Sequence, residues 1–339
     1  MKLLTIETTC DETAAAVVTD DLQILSSIVA SQESLHEQFS GVVPEIAARA
    51  HVERILPVVD QAIQRADLTL DDLDAIAVAH TPGLSGSLLV GLVAAKAICV
   101  ATGKPLIAIN HLHAHVFACR IASGKEIFPC VGFVVSGGHS NFFHCTGATE
   151  FKHLGGTIDD AAGEAFDKVA SMLGLPYPGG PAISRAALKG DPKAFSFPRP
   201  FLRDKERLEF SFSGLKTAVR YAIAGVGKPD FSKLNLSEQQ VADVAASFQE
   251  AVVDCLVGKA MLALQKTGLE LLCVGGGVAA NKRLRQRLQE STQEHGYELQ
   301  IAPFELCTDN AVMGAIASER LQAGMLEDLS LDIIPGLIR

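Results

Sequence analysis

The chain has 339 residues, 48% of them hydrophobic and 20% charged, with a mean hydropathy of +0.25 and a formal charge of −10. This composition excludes a disordered chain, and 29 Lys and Arg against 39 Asp and Glu exclude a globally basic nucleic-acid binder, though not a local basic patch. At this length no disulfide is needed to hold a core, and 8 cysteines without a C-x-x-C pair read as reduced core residues of a cytosolic protein. The first residues run into a strand pattern and then acidic Glu7, Asp11 and Glu12, which is no signal peptide. Residues 3–8, 14–18 and 24–30 read as three strands of a short meander. Pro44 suits a first helical turn, and Ile46, Ala50, Ile55, Val58, Val59, Ala62 and Ile63 keep helical spacing, as core or as a docking face. Residues 74–79 form the next strand. The apolar window 84–101 holds Ser85, Ser87 and Lys96, so a buried helix fits better than a membrane span. Residues 105–109 are a strand ending at Asn110.

A second unit starts near Phe128. Residues 130–135 read as a strand ending in Ser136-Gly137-Gly138-His139, and 141–145 return beside it. A helix is expected over 158–173, with Asp159 and Asp160 near its positive end. Residues 189–216 are rich in Phe, Pro and charge and read as an irregular excursion. Ser237 with Gln240 forms a capping box for a long helix to 265. A strand at 271–274, a basic helix at 279–289, a strand at 299–302 and a last helix at 309–323 follow. Strands followed by strand–helix alternation, occurring twice, predict two α/β lobes around a cleft. The division expected is 1–126 and 127–321, with 322–339 packing back on the first lobe.

Two strand ends carry glycine-rich turns, 134–139 and 274–281. Such turns let a backbone approach a ligand and offer N–H groups to phosphate or carboxylate. Ordinary turn chemistry gives the same pattern. His111 and His115 stand four apart, on one side of a helix, a spacing that suits two imidazoles on one metal. Helix-start histidines that cap or pair with carboxylates would look alike. Leu112 replaces the glutamate of H-E-x-x-H, which disfavours a zinc peptidase. A third ligand would be a carboxylate from elsewhere; Asp309 is one candidate, with helix N-cap as its plain alternative. Asp11 and Glu12 follow the first strand, where two-lobed kinase-like folds place phosphate or metal groups. Lys189, Lys193, Arg199, Arg203, Lys205, Arg207, Lys216 and Arg220 alternate with phenylalanines, and Lys282, Arg283, Arg285 and Arg287 form a second cluster. Basic residues among aromatics fit RNA. A hydrophobic loop with a charged rim fits equally.

The segments Ile6-Glu7-Thr8-Thr9-Cys10-Asp11-Glu12-Thr13, Asn110-His111 with His115, Val135-Ser136-Gly137-Gly138-His139, 158–168, 177–181, 211–218, 275–281 and Cys307-Thr308-Asp309-Asn310-Ala311 occur in order over nearly the whole chain. In these the sequence resembles the bacterial tRNA N6-adenosine threonylcarbamoyltransferases, the TsaD family. The resemblance implies the two-lobed α/β fold of the actin, sugar-kinase and Hsp70 superfamily (ASKHA). It implies transfer of threonylcarbamoyl from threonylcarbamoyl-AMP to N6 of adenosine 37, in tRNAs reading codons that begin with A. By the same likeness His111, His115 and Asp309 map onto the ligands of one divalent metal, iron or zinc. Val134, Val135, Ser136, Gly137, Gly138, Asp167, Gly180 and Asn281 map onto the adenylate site, and Asp11 or Glu12 is expected to act on N6. Partners implied are tRNA, a TsaB-like protein and a TsaE-like ATPase, in the cytoplasm and without a membrane. His113 stands where an acidic residue is common, Ala114 replaces a common glycine, and Ser184 stands where aspartate can. A small-molecule phosphotransferase of the same fold is the alternative; its first strand usually offers Asp-x-Gly, against Glu7-Thr8-Thr9 here.

Overall fold

Two units, each built on its own five-stranded sheet, appear in the computed structural model, which describes residues 1–39, 41–225, 231 and 234–336. The first unit is Met1–Phe128 with Thr146–Phe151 and Thr308–Arg339; the second is Pro129–Cys145 with Lys152–Cys307.

In the first unit β1 (Lys2–Glu7), β2 (Glu12–Thr19), β3 (Ile24–Ser31), β4 (Ala75–Thr81) and β5 (Leu106–Asn110) lie in the order β3-β2-β1-β4-β5. β1 runs antiparallel to β2 and parallel to β4. The helices are α1 (Glu33–His36), α2 (Pro44–Arg65), α3 (Ser85–Thr102) and α4 (His111–Ser123). Leu4, Ile6, Val17 and Val78 of the sheet meet Ile55, Val59 and Ile63 of α2 and Leu92 and Cys99 of α3. Each such side chain contributes about 1.5–3 kcal/mol on burial. The stripe on α2 is thus core from Ala50 to Ile63, while Val52 and Leu56 on its other side are exposed. α3 is long and apolar enough to cross a membrane, but it is not buried all round. One face packs inward through Leu88, Leu92 and Ala95, and Leu89, Val93 and Val100 are exposed. The last described residues return along β4: Ile334 N donates to His80 O (3.0 Å) and Gly83 N donates to Pro335 O (3.2 Å).

The second unit repeats the plan. β6 (Cys130–Val135), β7 (Ser140–Gly147), β8 (Glu150–Gly156), β9 (Leu271–Gly275) and β10 (Glu298–Ile301) lie in the order β10-β9-β6-β7-β8. Its first strand is again central, antiparallel to its second and parallel to its fourth. The helices are α5 (Ala162–Met172), α6 (Gly179–Ala187), α7 (Ser213–Ala224), α8 (Glu238–Thr267), α9 (Lys282–His295) and the short α10 (Phe304–Cys307). α5 starts four residues later than expected, because Asp159 and Asp160 are bound elsewhere. Asp159 accepts from Ser211 Oγ (2.6 Å) and from the Phe212 N–H (2.8 Å), and Asp160 pairs with Lys168 and Lys216. The expected last helix divides into a 3-10 turn, Val312–Ile316, and α11 (Ala317–Gln322) in the first unit.

The excursion at 189–216 is pinned to α8. The buried Lys259 Nζ donates to the carbonyls of Asp204 (2.6 Å) and Arg207 (2.7 Å). Phe210 stacks with Phe133 and meets Phe142 at a tilt, and Phe197 and Phe212 are buried too.

Candidate functional site

In the first unit the residues of interest stand at the carboxyl ends of β1 and β5. β5 ends in Asn110, whose Oδ1 accepts from the Leu112 N–H (2.9 Å) and the His113 N–H (3.3 Å) and so starts α4. The first two helical turns then carry His111 and His115 one above the other, with ring centroids 4.6 Å apart. Asp309 meets both: its Oδ1 lies 3.1 Å from His115 Nε2 and 3.6 Å from His111 Nε2. One ligand atom from each of the three lies within 4.8 Å of the others. Next to Asp309, Asn310 Oδ1 accepts from the Met313 N–H (3.2 Å) in the 3-10 turn that follows.

Behind His111 stands Glu7, the last residue of β1 and 3% exposed. Glu7 Oε2 accepts from His111 Nδ1 (3.0 Å), and Oε1 accepts from the Thr9 N–H (2.6 Å). With Nδ1 engaged, Nε2 of His111 is aimed at Asp309. This is the carboxylate–histidine arrangement that orients metal ligands. Sequence reading gave Glu7 no role, because its partner lies 104 residues away. Only a charge at the buried end of an apolar strand hinted at it.

Charge accumulates here. Burial would lower His111, but the Glu7 and Asp309 carboxylates outweigh it and raise it to about 9. Burial pushes His115 below its usual value. Burial, then Asp309 and Asp11, push Glu12 up to about 10. Two imidazoles and a carboxylate, with further carboxylates close by, suit a divalent cation such as zinc or iron. His113 faces elsewhere: its ring stacks 4.0 Å from that of Phe151. Burial and nearby Arg320 lower it to about 3.

In the second unit the other candidates form one connected circuit. Val134 and Val135 end β6, and Val134 pairs with Gly275 of β9. Gly276 has φ 94°, and a Cβ there would lie 2.5 Å from Val135 O, so only glycine fits. The Gly163 N–H at the start of α5 donates to Ser136 O (3.2 Å), and the Glu164 N–H donates to Gly137 O (3.0 Å). Further along α5, Asp167 Oδ1 accepts from the Gly179 N–H (2.7 Å), next to Gly180. α6 then offers Ser184 Oγ to Asn281 Nδ2 (3.0 Å), which also donates to Gln249 Oε1 (2.9 Å). A Cβ added at Gly137, Gly138 or Gly180 meets nothing within 4 Å, so a ligand can approach their backbone. Gln249 is the member of this circuit that sequence reading missed.

The two basic clusters are mostly committed internally. Arg283 and Arg287 bind Glu250 (2.7 Å each), Arg287 and Arg199 bind Asp254, and Lys216 binds Asp160. Arg285 donates to the carbonyls of Ala279 and Ala302 and lies over Phe304. With Phe197, Phe210 and Phe212 buried, the stretch resembles a hydrophobic segment with a charged rim more than a base-stacking platform. Lys189, Lys193, Arg203, Lys205 and Lys282 are exposed.

Residues 23–316 match the family model described as TsaD, tRNA N6-adenosine threonylcarbamoyltransferase. A protein of that name from Rhodopirellula baltica is 56% identical over 99% of this chain and 97% of its own length. The structure of full-length HypF in its phosphate- and nucleotide-bound form superposes with a TM-score of 0.62 at 13% identity, over 96% of this chain and 47% of that one. The ROK hexokinase of Thermus thermophilus gives 0.52 at 17%, over 96% and 99%. The fold is the α/β architecture of the actin, sugar-kinase and Hsp70 type.

Proposed function

The chain belongs to the tRNA N6-adenosine threonylcarbamoyltransferase family, and from that premise we propose how its residues work. It is an acyltransferase that modifies N6 of adenosine 37 in tRNA. We infer that the donor is threonylcarbamoyl-AMP and that the tRNAs are those reading codons that begin with A. N6 attacks the carbamoyl carbon, the bond from that carbon to the phosphate oxygen breaks, AMP leaves with the electron pair, and N6 gives up a proton.

AMP is a good leaving group and adenine N6 a poor nucleophile, so positioning is the main demand. The backbone of 134–138, with Asp167, Gly180 and Asn281, holds the adenylate. His111, His115 and Asp309 hold a divalent metal, and Glu7 keeps His111 turned toward it. When bound, that ion, iron or zinc, supplies Lewis acidity to the threonylcarbamoyl carboxylate or carbonyl. Asp11 or Glu12 orients N6 or accepts its proton. Adenine 37 leaves the anticodon-loop stack to reach them. A TsaB-like partner docks on the exposed apolar residues Val52, Leu56, Leu89 and Val93 of α2 and α3, and a TsaE-like ATPase assists, in the cytoplasm. A small-molecule phosphotransferase is not favoured.

The observation that carries this reading is the convergence of His111, His115 and Asp309 with Glu7 behind them. The test combines the purified chain, threonylcarbamoyl-AMP, unmodified tRNA and the partner proteins, followed by nucleoside mass spectrometry. His111→Ala should lose bound metal and modification together. Full modification by a metal-free His111→Ala protein would reject the metal's role.

A further inference from the structure

The turn between β1 and β2 carries Asp11 and leads into Glu12, the first residue of β2, and its carbonyls are held by separate elements. The Leu84 N–H donates to Thr9 O (2.9 Å) and the Gln32 N–H donates to Asp11 O (3.1 Å). Between them the Cys10 carbonyl is reached by two side chains, His51 Nε2 of α2 at 3.0 Å and Ser87 Oγ of α3 at 3.2 Å. A carbonyl only accepts, so His51 Nε2 carries the hydrogen. The ring is 0% exposed, and burial lowers its basicity, so it is neutral and Nδ1 is an acceptor. Thr13 Oγ1 donates to that Nδ1 at 2.8 Å.

The ring therefore bonds the residue before the Asp11–Glu12 pair and the residue after it. Its neighbours on the inner face of α2 are apolar, among them Ala47, Ala50 and Ile55. An aliphatic side chain would fill this slot for packing alone. Both ring nitrogens are instead committed, one to Cys10 in the turn and one to Thr13 at the start of β2. We propose that His51 is a positioning residue, which fixes where the Asp11 and Glu12 carboxylates point without itself touching substrate. The proposal rests on the reading that one of those carboxylates acts on N6.

The test uses the same modification assay with His51→Leu, His51→Gln, Thr13→Val, Asp11→Asn and Glu12→Gln. His51→Leu should lower kcat about 10–100-fold, the range seen when supporting hydrogen bonds are removed from a site. KM for tRNA and donor, and bound metal, should stay at the wild-type level. His51→Gln, which keeps a donor and an acceptor, should recover most of kcat. Thr13→Val, near-isosteric, should give a smaller loss of the same kind. In a Glu12→Gln or Asp11→Asn background, whichever is the impaired one, His51→Leu should cost little more. Unchanged kcat in His51→Leu, or in Thr13→Val should the leucine variant not fold, would overturn the proposal. So would a loss that tracks Tm and metal content and is not rescued by glutamine. If Asp11→Asn and Glu12→Gln both retain full kcat, the carboxylate assignment itself fails, and this proposal falls with it.

Discussion

Glu7 shows what a single buried charge does here. A carboxylate 3% exposed is costly unless each oxygen has a partner, and both have one. Glu7→Gln keeps the shape but replaces an anionic acceptor with an amide. Metal affinity should fall about 10–100-fold, as titration calorimetry or metal analysis would show. Wild-type affinity in Glu7→Gln would mean that His111 is oriented by something else. The histidine pair was legible from its four-residue spacing, and Asp309 from the family motif. Glu7 was not, since no local pattern joins a strand end to a helix start 104 residues away. Asn310, the neighbour of Asp309 and a neutral amide that can both donate and accept, gives Nδ2 to the Thr308 carbonyl and takes the Met313 N–H at Oδ1.

The α8–α9 pair shows where much of the charge of the basic clusters is spent. Glu250 and Asp254 of α8 lie one turn apart and collect Arg283, Arg287 and Arg199. Composition displays the arginines but hides their partners. Arg199→Glu should therefore lower Tm, since it leaves Asp254 facing a like charge, whereas Arg203→Glu with Lys205→Glu should leave Tm alone. If the exposed pair meets RNA phosphate, the double variant should weaken tRNA binding with a shallower salt dependence; unchanged binding would place the RNA elsewhere. Arg283 holds Glu250 below the usual glutamate value, burial opposes this, and Arg287 adds to the lowering. A depressed carboxylate contributes stability that is present above its unfolded-state value, about 4.3, and is lost as pH falls through the folded-state value. Glu250→Gln should therefore reduce Tm at neutral pH and flatten its fall on the acid side. An acid limb identical to wild type would show that the pair contributes nothing there. Element reading did well where local chemistry decides, as at the Ser237–Gln240 capping box, which the structure contains. It overran at 158–161 because Asp159 and Asp160 bind residues some 50 positions away.

At the scale of the molecule, one topology is used twice. In each unit the turn after the first strand and the loop after the fourth strand stand side by side, at the carboxyl ends where α/β sheets place ligands. The first unit follows its first strand with carboxylates and its fifth with the histidine pair, while the second unit sets glycines after its first and fourth strands. The repeat was invisible as sequence periodicity because it conserves strand order, not residues. This separation predicts two independent stabilisations. Zinc should raise the Tm of the wild-type chain but not of His111→Ala, and AMP should raise both. An AMP shift that disappears in His111→Ala would show that the nucleotide depends on the histidine site.

The tail along β4 has a practical corollary. Pro335 holds the amide of Gly83, and Gly83 sits so close to Thr9 that a Cβ there would fall 2.6 Å from its carbonyl. A fluorophore or affinity handle attached between residues 330 and 336 would thus not be a silent passenger. Its movements would be relayed, through one amide and one contact, to the strand end just before Asp11 and Glu12.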